Sequence, residues 1–230
     1  DDKRYRVKIQ LGIKTDTGDL EGNIVATKPV PEFSAAEIKV LLKTFTGAIN
    51  QVPPMYSALK HNGKKLYELV RDGLTVERKA RQITIFELKF LDSTKDTLEL
   101  EVFCSKGTYI RTLAEDIGET IGCGATVKEL RRIQSGQFSI AQALTLEQLQ
   151  ELDDQHRMEI LIDVDMPLMS LPAVQLNDQQ AVAIKYGQTI AIAENTPGSV
   201  RMYGSDTFLG LGEMRLDGKL APKKLFNLND

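Results

Sequence analysis

The sequence predicts an α+β protein: a mixed or antiparallel sheet with flanking helices, followed by a small β-barrel-like module. Three observations carry that prediction. Apolar residues alternate with polar ones in segments that come in pairs joined by short polar turns, the pattern of hairpins rather than of βαβ units. Helical periodicity appears in single segments behind capping residues. From about Leu171 onward, short apolar runs are punctuated by Gly198, Gly204, Gly210, Gly212 and Gly218, as in a compact all-β module.

The first strand is read over Arg4 to Ile13, where Tyr5, Val7, Ile9, Leu11 and Ile13 alternate with Arg4, Arg6, Lys8 and Gln10. So regular a strand needs neighbours, and some are expected upstream of Asp1. Thr15 to Gly22 is a polar turn, and Ile24 to Thr27 returns as the second arm of a hairpin. Ser34 and Glu37 have capping-box spacing, so a helix is expected from about Ala35 to Phe45, stopping near Gly47. Arg81 to Leu91 and Leu98 to Phe103 form a second hairpin about the turn 92–97, and a helix follows from about Tyr109 to Ile121. Val127, Leu130 and Ile133 recur every three residues with Arg131 and Arg132 opposite, which predicts a short helix with Leu130 in the core. Thr145 and Gln148 open another capped helix. Pro167 and Pro172 place a domain boundary, giving domains 1–168 and 169–230. In the tail, Asn177 caps a helix through Tyr186, and Asp217-Gly218 marks a hairpin.

Composition excludes several classes. With 230 residues, 42% hydrophobic and 27% charged, the chain can bury a core and is not disordered. No run approaches the roughly 20 apolar residues of a membrane helix, and no signal-peptide layout is present, so a cytoplasmic, reducing location is expected. Cys104 and Cys123 lack CxxC spacing and have only His61 and His156 as potential partners. They read as buried thiols, and no metal site is expected. The net charge of −3 announces no nucleic-acid binder, but its distribution is uneven. Residues 51–90 carry eight Lys and Arg against four Asp and Glu, whereas 145–165 carry seven acids against Arg157 alone. The first segment could meet phosphate; the second would repel it.

The stretch from Leu98 to Arg111 is the most informative. A strand empties through Gly107 into a helix start, a junction that displays side chains and offers free N–H groups to an anion. Arg111 can grip a carboxylate or phosphate with two N–H groups, and Tyr109 can stack on a base or hydrogen-bond. The residues alone leave two readings, a nucleotide pocket or an ordinary helix turn with a surface arginine. Met55 to Gly73 interleaves lysines, including Lys64 and Lys65, with Tyr56 and Tyr67. That mixture suits an arm gripping an RNA loop, although composition alone favours a plain surface excursion. Alternation alone makes Tyr5 a core ring.

Five motifs change that balance. Lys3-Arg-Tyr-Arg-Val7, Thr15-Asp-Thr-Gly-Asp19, Pro54-Met-Tyr-Ser-Ala-Leu-Lys60, Gly63-Lys-Lys-Leu-Tyr67 and Ser105-Lys-Gly-Thr-Tyr-Ile-Arg111 together resemble the bacterial TruB family of tRNA pseudouridine synthases. The resemblance implies isomerisation of the T-loop uridine of tRNA, position 55, by base flipping and covalent catalysis, with no metal or organic cofactor. It implies a pseudouridine-synthase catalytic domain and a PUA-like C-terminal RNA-binding module. Its partner would be the tRNA T-arm, with no membrane, no obligate protein partner and a monomeric enzyme. By resemblance Tyr5 stacks on the target base and moves its ring proton, and Arg111 pairs with the catalytic carboxylate. Tyr109 and Leu130 line the uracil pocket, Asp19 is a further binding candidate, and Lys64 and Lys65 lie on the RNA-gripping arm. The family's nucleophilic aspartate lies in a Gly-x-Leu-Asp-Pro-x-Ala-Thr-Gly-type motif that this sequence does not contain. Asp16 and Asp19 match a different motif. The expectation is therefore a chain inactive by itself, with Arg111 lacking its carboxylate partner. A non-catalytic RNA-binding protein on the same scaffold is the alternative.

Overall fold

Alternation places one strand at the centre of the first unit. The computed structural model describes residues 1–193 and 196–226, with residues 1–143 forming one unit and 144–230 another. The first unit runs β1 (Lys3–Leu11), β2 (Ile13–Thr15), β3 (Ile24–Thr27), α1 (Ala35–Lys43), β4 (Gly47–Gln51), β5 (Lys60–His61), β6 (Lys64–Lys65) and α2 (Leu66–Arg71). It continues with β7 (Arg81–Ser93), β8 (Thr97–Cys104), α3 (Ile110–Ile121), β9 (Ala125–Ser135) and β10 (Phe138–Ser139). Six of these strands form an antiparallel sheet in the order β10-β9-β1-β8-β7-β4.

One face of that sheet is the core. Val7, Ile9 and Leu11 of β1 and Leu98, Leu100 and Val102 of β8 pack there with Leu113, Ala114 and Ile117 of α3 and Ile38 and Leu42 of α1. Ile9, Leu100 and Ile117 are wholly buried, each contributing about 1.5–3 kcal/mol relative to exposure. The opposite face is charged: Arg4 pairs with Glu87 and Glu101, and Arg6 with Glu99. Cys104 and Cys123 are free, buried thiols.

Three sequence expectations require correction. The first strand does not continue through Ile13, because Gly12, at φ +79°, turns the chain out of the large sheet into the β2–β3 hairpin. Gly47 opens β4 rather than merely ending α1, so an edge strand was missed. Thr126 to Ile133 is not helical. It belongs to β9, and its three-residue spacing comes from a β-bulge: Ile9 and Val7 on β1 stand opposite Val127 and Leu130, with one extra residue on β9. Leu130 is accordingly not a core leucine; it is 46% exposed.

The second unit runs α4 (Leu146–Glu151), α5 (Asp154–Glu159), β11 (Ala173–Leu176), α6 (Asp178–Lys185), β12 (Ile190–Ala191), β13 (Gly198–Gly204), β14 (Thr207–Met214) and β15 (Lys219–Leu225). Its strands form a five-stranded mixed sheet, β11-β13-β14-β15-β12. Thr145 and Asn177 cap α4 and α6 as their spacing predicts, and the β14–β15 turn is set by Gly218 at φ +75°. Gly210 is required by close approach: a Cβ there would lie 2.2 Å from the Lys224 carbonyl oxygen. Arg201, nearly buried, donates to Asp165, the Leu171 carbonyl and the Tyr203 hydroxyl, fixing segment 165–171 to the sheet.

Candidate active site

The site grows from the junction between β8 and α3. Gly107 at φ +85° turns the chain, and Tyr109 becomes the N-cap of α3 with extended backbone. Tyr109 cannot cap through its own side chain, so the work is done from β4. The buried Gln51 accepts the Tyr109 N–H through Oε1 at 2.8 Å and donates Nε2 to the Tyr109 carbonyl at 3.1 Å. The start of α3, and with it Arg111, is thereby fixed to the sheet.

Arg111 is held at both ends of its fork. Nη1 donates to Asp19 Oδ2 at 2.9 Å and to the Thr17 carbonyl at 3.1 Å, and Nη2 donates to the Tyr56 carbonyl at 2.8 Å. Arg111 is thus not without a carboxylate: it pairs with Asp19, which belongs to the Thr15–Asp19 motif and not to the family's nucleophile motif. Asp19 is itself positioned, accepting from the Thr17 hydroxyl at 2.7 Å. Its loop is threaded onto β9, where Val127 N–H donates to the Gly18 carbonyl and Leu20 N–H to the Val127 carbonyl. Gly18 at φ +77° lies against Arg111 and Glu115, so a side chain there would be both strained and crowded. Burial pushes the Glu115 carboxyl up from its ordinary value, against the opposing pull of Lys14 and Arg111.

Tyr5 and Leu130 belong to the same sheet face. Tyr5 stands opposite Arg132, and Leu130 opposite Val7; directly opposed residues of an antiparallel pair share a face. That face is the one α3 covers. Tyr5 packs against the core edge with the Arg132 guanidinium 5.7 Å from its ring centre. The half-buried Tyr5, the exposed Leu130 and the cation of Arg132 thus line the open end of the core face, whereas Tyr109 and Arg111 sit at the start of the covering helix.

Lys64 and Lys65 do not join this group. They lie on the β5–β6 hairpin, whose Asn62-Gly63 turn has φ +50° and +86°, the geometry of a tight type I′ turn. Lys65 Nζ donates to the Tyr67 hydroxyl at 3.0 Å, and that bond raises its pKa. Arg71 lies over the same ring. The arm communicates with Arg111 through the Tyr56 carbonyl. Sequence reasoning missed Gln51, Thr17 and Arg132. Only Thr17 carried a signal, as part of the Thr15–Asp19 motif.

Comparison with known proteins agrees along the whole length. The family model described as TruB family pseudouridylate synthase, N-terminal domain, matches residues 1–110. The tRNA pseudouridylate synthase B C-terminal domain matches 111–170, and the pseudouridine synthase II TruB C-terminal model matches 172–226. The chain is 43% identical over 229 residues to tRNA pseudouridine synthase B of Dechloromonas aromatica, spanning 100% of this chain and 76% of that protein. It is 46% identical to the protein of the same name from Serratia proteamaculans, spanning 97% and 75%. In architecture it is similar to a chain of a Cbf5-Nop10-Gar1 complex, with a TM-score of 0.69 at 20% identity, covering 97% of this chain and 66% of that one.

Proposed function

The chain belongs to the TruB family of pseudouridine synthases, and from that premise we propose that, together with the nucleophile motif this sequence does not contain, it isomerises the T-loop uridine of tRNA, flipping the base toward Tyr5, Leu130 and the start of α3. Its enzyme class is isomerase, forming pseudouridine in tRNA. The reaction breaks the N1–C1′ bond of uridine and forms a C5–C1′ bond, so N1 gains a proton and C5 loses one.

Tyr5 would stack on the uracil and relay a proton through its hydroxyl, giving up its own toward N1 as it accepts the one leaving C5. Leu130 would supply the apolar wall and Tyr109 a polar edge, the mixture an extruded base needs. Arg111, oriented by Asp19, would pair with the carboxylate of the family's covalent step, whose motif this sequence does not contain. Lys64 and Lys65 would bind phosphates of the T-arm. The single observation that carries this reading is the fixed Arg111–Asp19 pair at the head of α3, over the sheet face that bears Tyr5 and Leu130.

The second domain, 169–230, would be a PUA-like RNA-binding module behind a catalytic domain, 1–168. Its own core, centred on Ile184, Met202 and Leu220, and the family match beginning at residue 172 support that division. Among the described residues no helix is long and apolar enough to cross a membrane; we propose that the protein acts in the cytoplasm, as a monomer, on free tRNA.

The test is tritium release from a T-arm RNA labelled at C5 of uridine, using the gene product. Release with one label lost per RNA is expected. Retention of the label under conditions where the RNA is bound would refute the assignment.

A further inference from the structure

The arm leaves the sheet after β4, at Pro53, and returns to it at Arg81, the first residue of β7. Between the returning stem and the β5–β6 hairpin lies a pocket of about 260 Å³ whose lining does not include Tyr5, Tyr109 or Arg111, with Lys60, His61, Arg78, Lys79 and Arg81 around it and Glu77 as its one carboxylate. No ion pair involves Lys60, Arg78, Lys79 or Arg81 among the described residues. Such an excess of unpaired cations around one concavity creates a positive potential that favours an anion.

A second, independent observation concerns Arg78. Its Nη1 donates to the Pro53 carbonyl at 3.2 Å, which ties the returning stem to the outgoing one. Its Nε, in contrast, is buried and has no acceptor. A buried N–H without a partner is costly, and an anionic oxygen brought to it relieves that cost while gaining a charge-assisted bond. The guanidinium is thus held in place before any ligand arrives, with a donor in reserve.

We infer that this pocket, which joins the returning stem to the Lys60–His61 strand of the hairpin, binds a backbone phosphodiester of the RNA substrate through Arg78, Lys79 and Arg81, residues distinct from the base-binding group and from Lys64 and Lys65. The inference rests on the RNA-modifying function proposed above. Its consequence is geometric. The RNA would meet the arm on its hairpin and on its returning stem at once, and that contact would draw together the returning stem and the outgoing one, which carries the Tyr56 carbonyl bonded to Arg111.

The experiment is the salt dependence of binding to a T-arm RNA hairpin. Lys79→Gln/Arg81→Gln changes two exposed side chains without ion pairs, and Arg78→Gln changes the buried donor. Each phosphate contact contributes roughly 0.7–0.9 to the slope of log K against log salt. The double variant should lower that slope by about 1 and weaken binding about tenfold at low salt, with Tm retained. Arg78→Gln should give a loss in the same direction. If the parent binds the RNA and the slope is unchanged in the double variant, the inference is overturned while the enzymatic reading stands. If the parent does not bind the RNA, that reading fails with it. Inorganic phosphate serves as the control ligand: saturable binding lost in the variants, with RNA affinity unaffected, would identify a small-anion site and also overturn the inference.

Discussion

Gln51→Met isolates the device that positions the catalytic helix. Methionine keeps the length and bulk of a side chain only 3% exposed, so little packing is lost. What disappears is the two-bond clasp on Tyr109. The Tyr109 carbonyl retains the α3 bond from Leu113 N–H, so its loss costs about 0.5–1 kcal/mol. The Tyr109 N–H keeps no partner, which costs about 1–3 kcal/mol. The sum, about 1.5–4 kcal/mol, corresponds to a fall in Tm of roughly 3–16 °C for a protein of this size. Differential scanning calorimetry measures the stability effect, and single-turnover tritium release measures the catalytic one. A displacement of α3 by about 1 Å would carry Arg111 with it and reduce the rate on the order of a hundredfold. A Tm within about 1 °C of the parent and an unchanged rate would show that α3 is positioned by its packing alone, refuting the reasoning.

Arg111→Ala should collapse turnover with a much smaller loss of tRNA affinity, and near-normal single-turnover rates would count against its role. Asp19→Asn keeps the shape and removes the charge of a pair whose side chains are each 27% exposed; stability should fall by no more than about 1 kcal/mol, whereas the rate should fall clearly more, as equilibrium unfolding and tritium release would show. Replacing Lys64 and Lys65 together by Gln should weaken RNA binding and flatten its salt dependence, measurable by filter binding across a salt series. Burial raises the Glu115 carboxyl above its unfolded value. A carboxyl so raised destabilises the fold above its folded pKa, and the cost vanishes as pH falls below the unfolded value. Glu115→Gln should therefore raise Tm at pH 7, with the difference closing below about pH 4; a pH-independent difference would contradict that origin.

Much of the fold was written locally. Ser34 with Glu37, Asn177 with Gln180 and the Asp217-Gly218 turn all act through neighbours within a few residues, so their sequence signals survive in the structure. The failures are non-local. The spacing of Val127, Leu130 and Ile133 imitates a helix because β9 bulges against β1, and only the pairing register reveals it. The short β4 became visible only as the partner of β7. At the site, the motifs around Tyr5, Asp19 and Arg111 were legible as a resemblance, but the bond between Asp19 and Arg111 spans 92 residues. Gln51 was invisible, because a glutamine near an edge strand carries no signal until its amide is seen against the backbone of Tyr109.

The central position of β1 has a consequence during synthesis. Its two hydrogen-bonding neighbours are encoded only at 97–104 and 125–135, so at about 5–20 residues per second the emerging polypeptide must wait roughly 6 to 25 seconds before both arrive. For that interval an apolar strand has both rims unsatisfied, a template for pairing with other nascent chains. Arg4, Arg6 and Lys8, which alternate with its apolar side chains, then act as gatekeepers. The same cations later meet Glu87, Glu99 and Glu101 or the solvent, so residues that look merely decorative in the finished sheet guard its assembly on the ribosome.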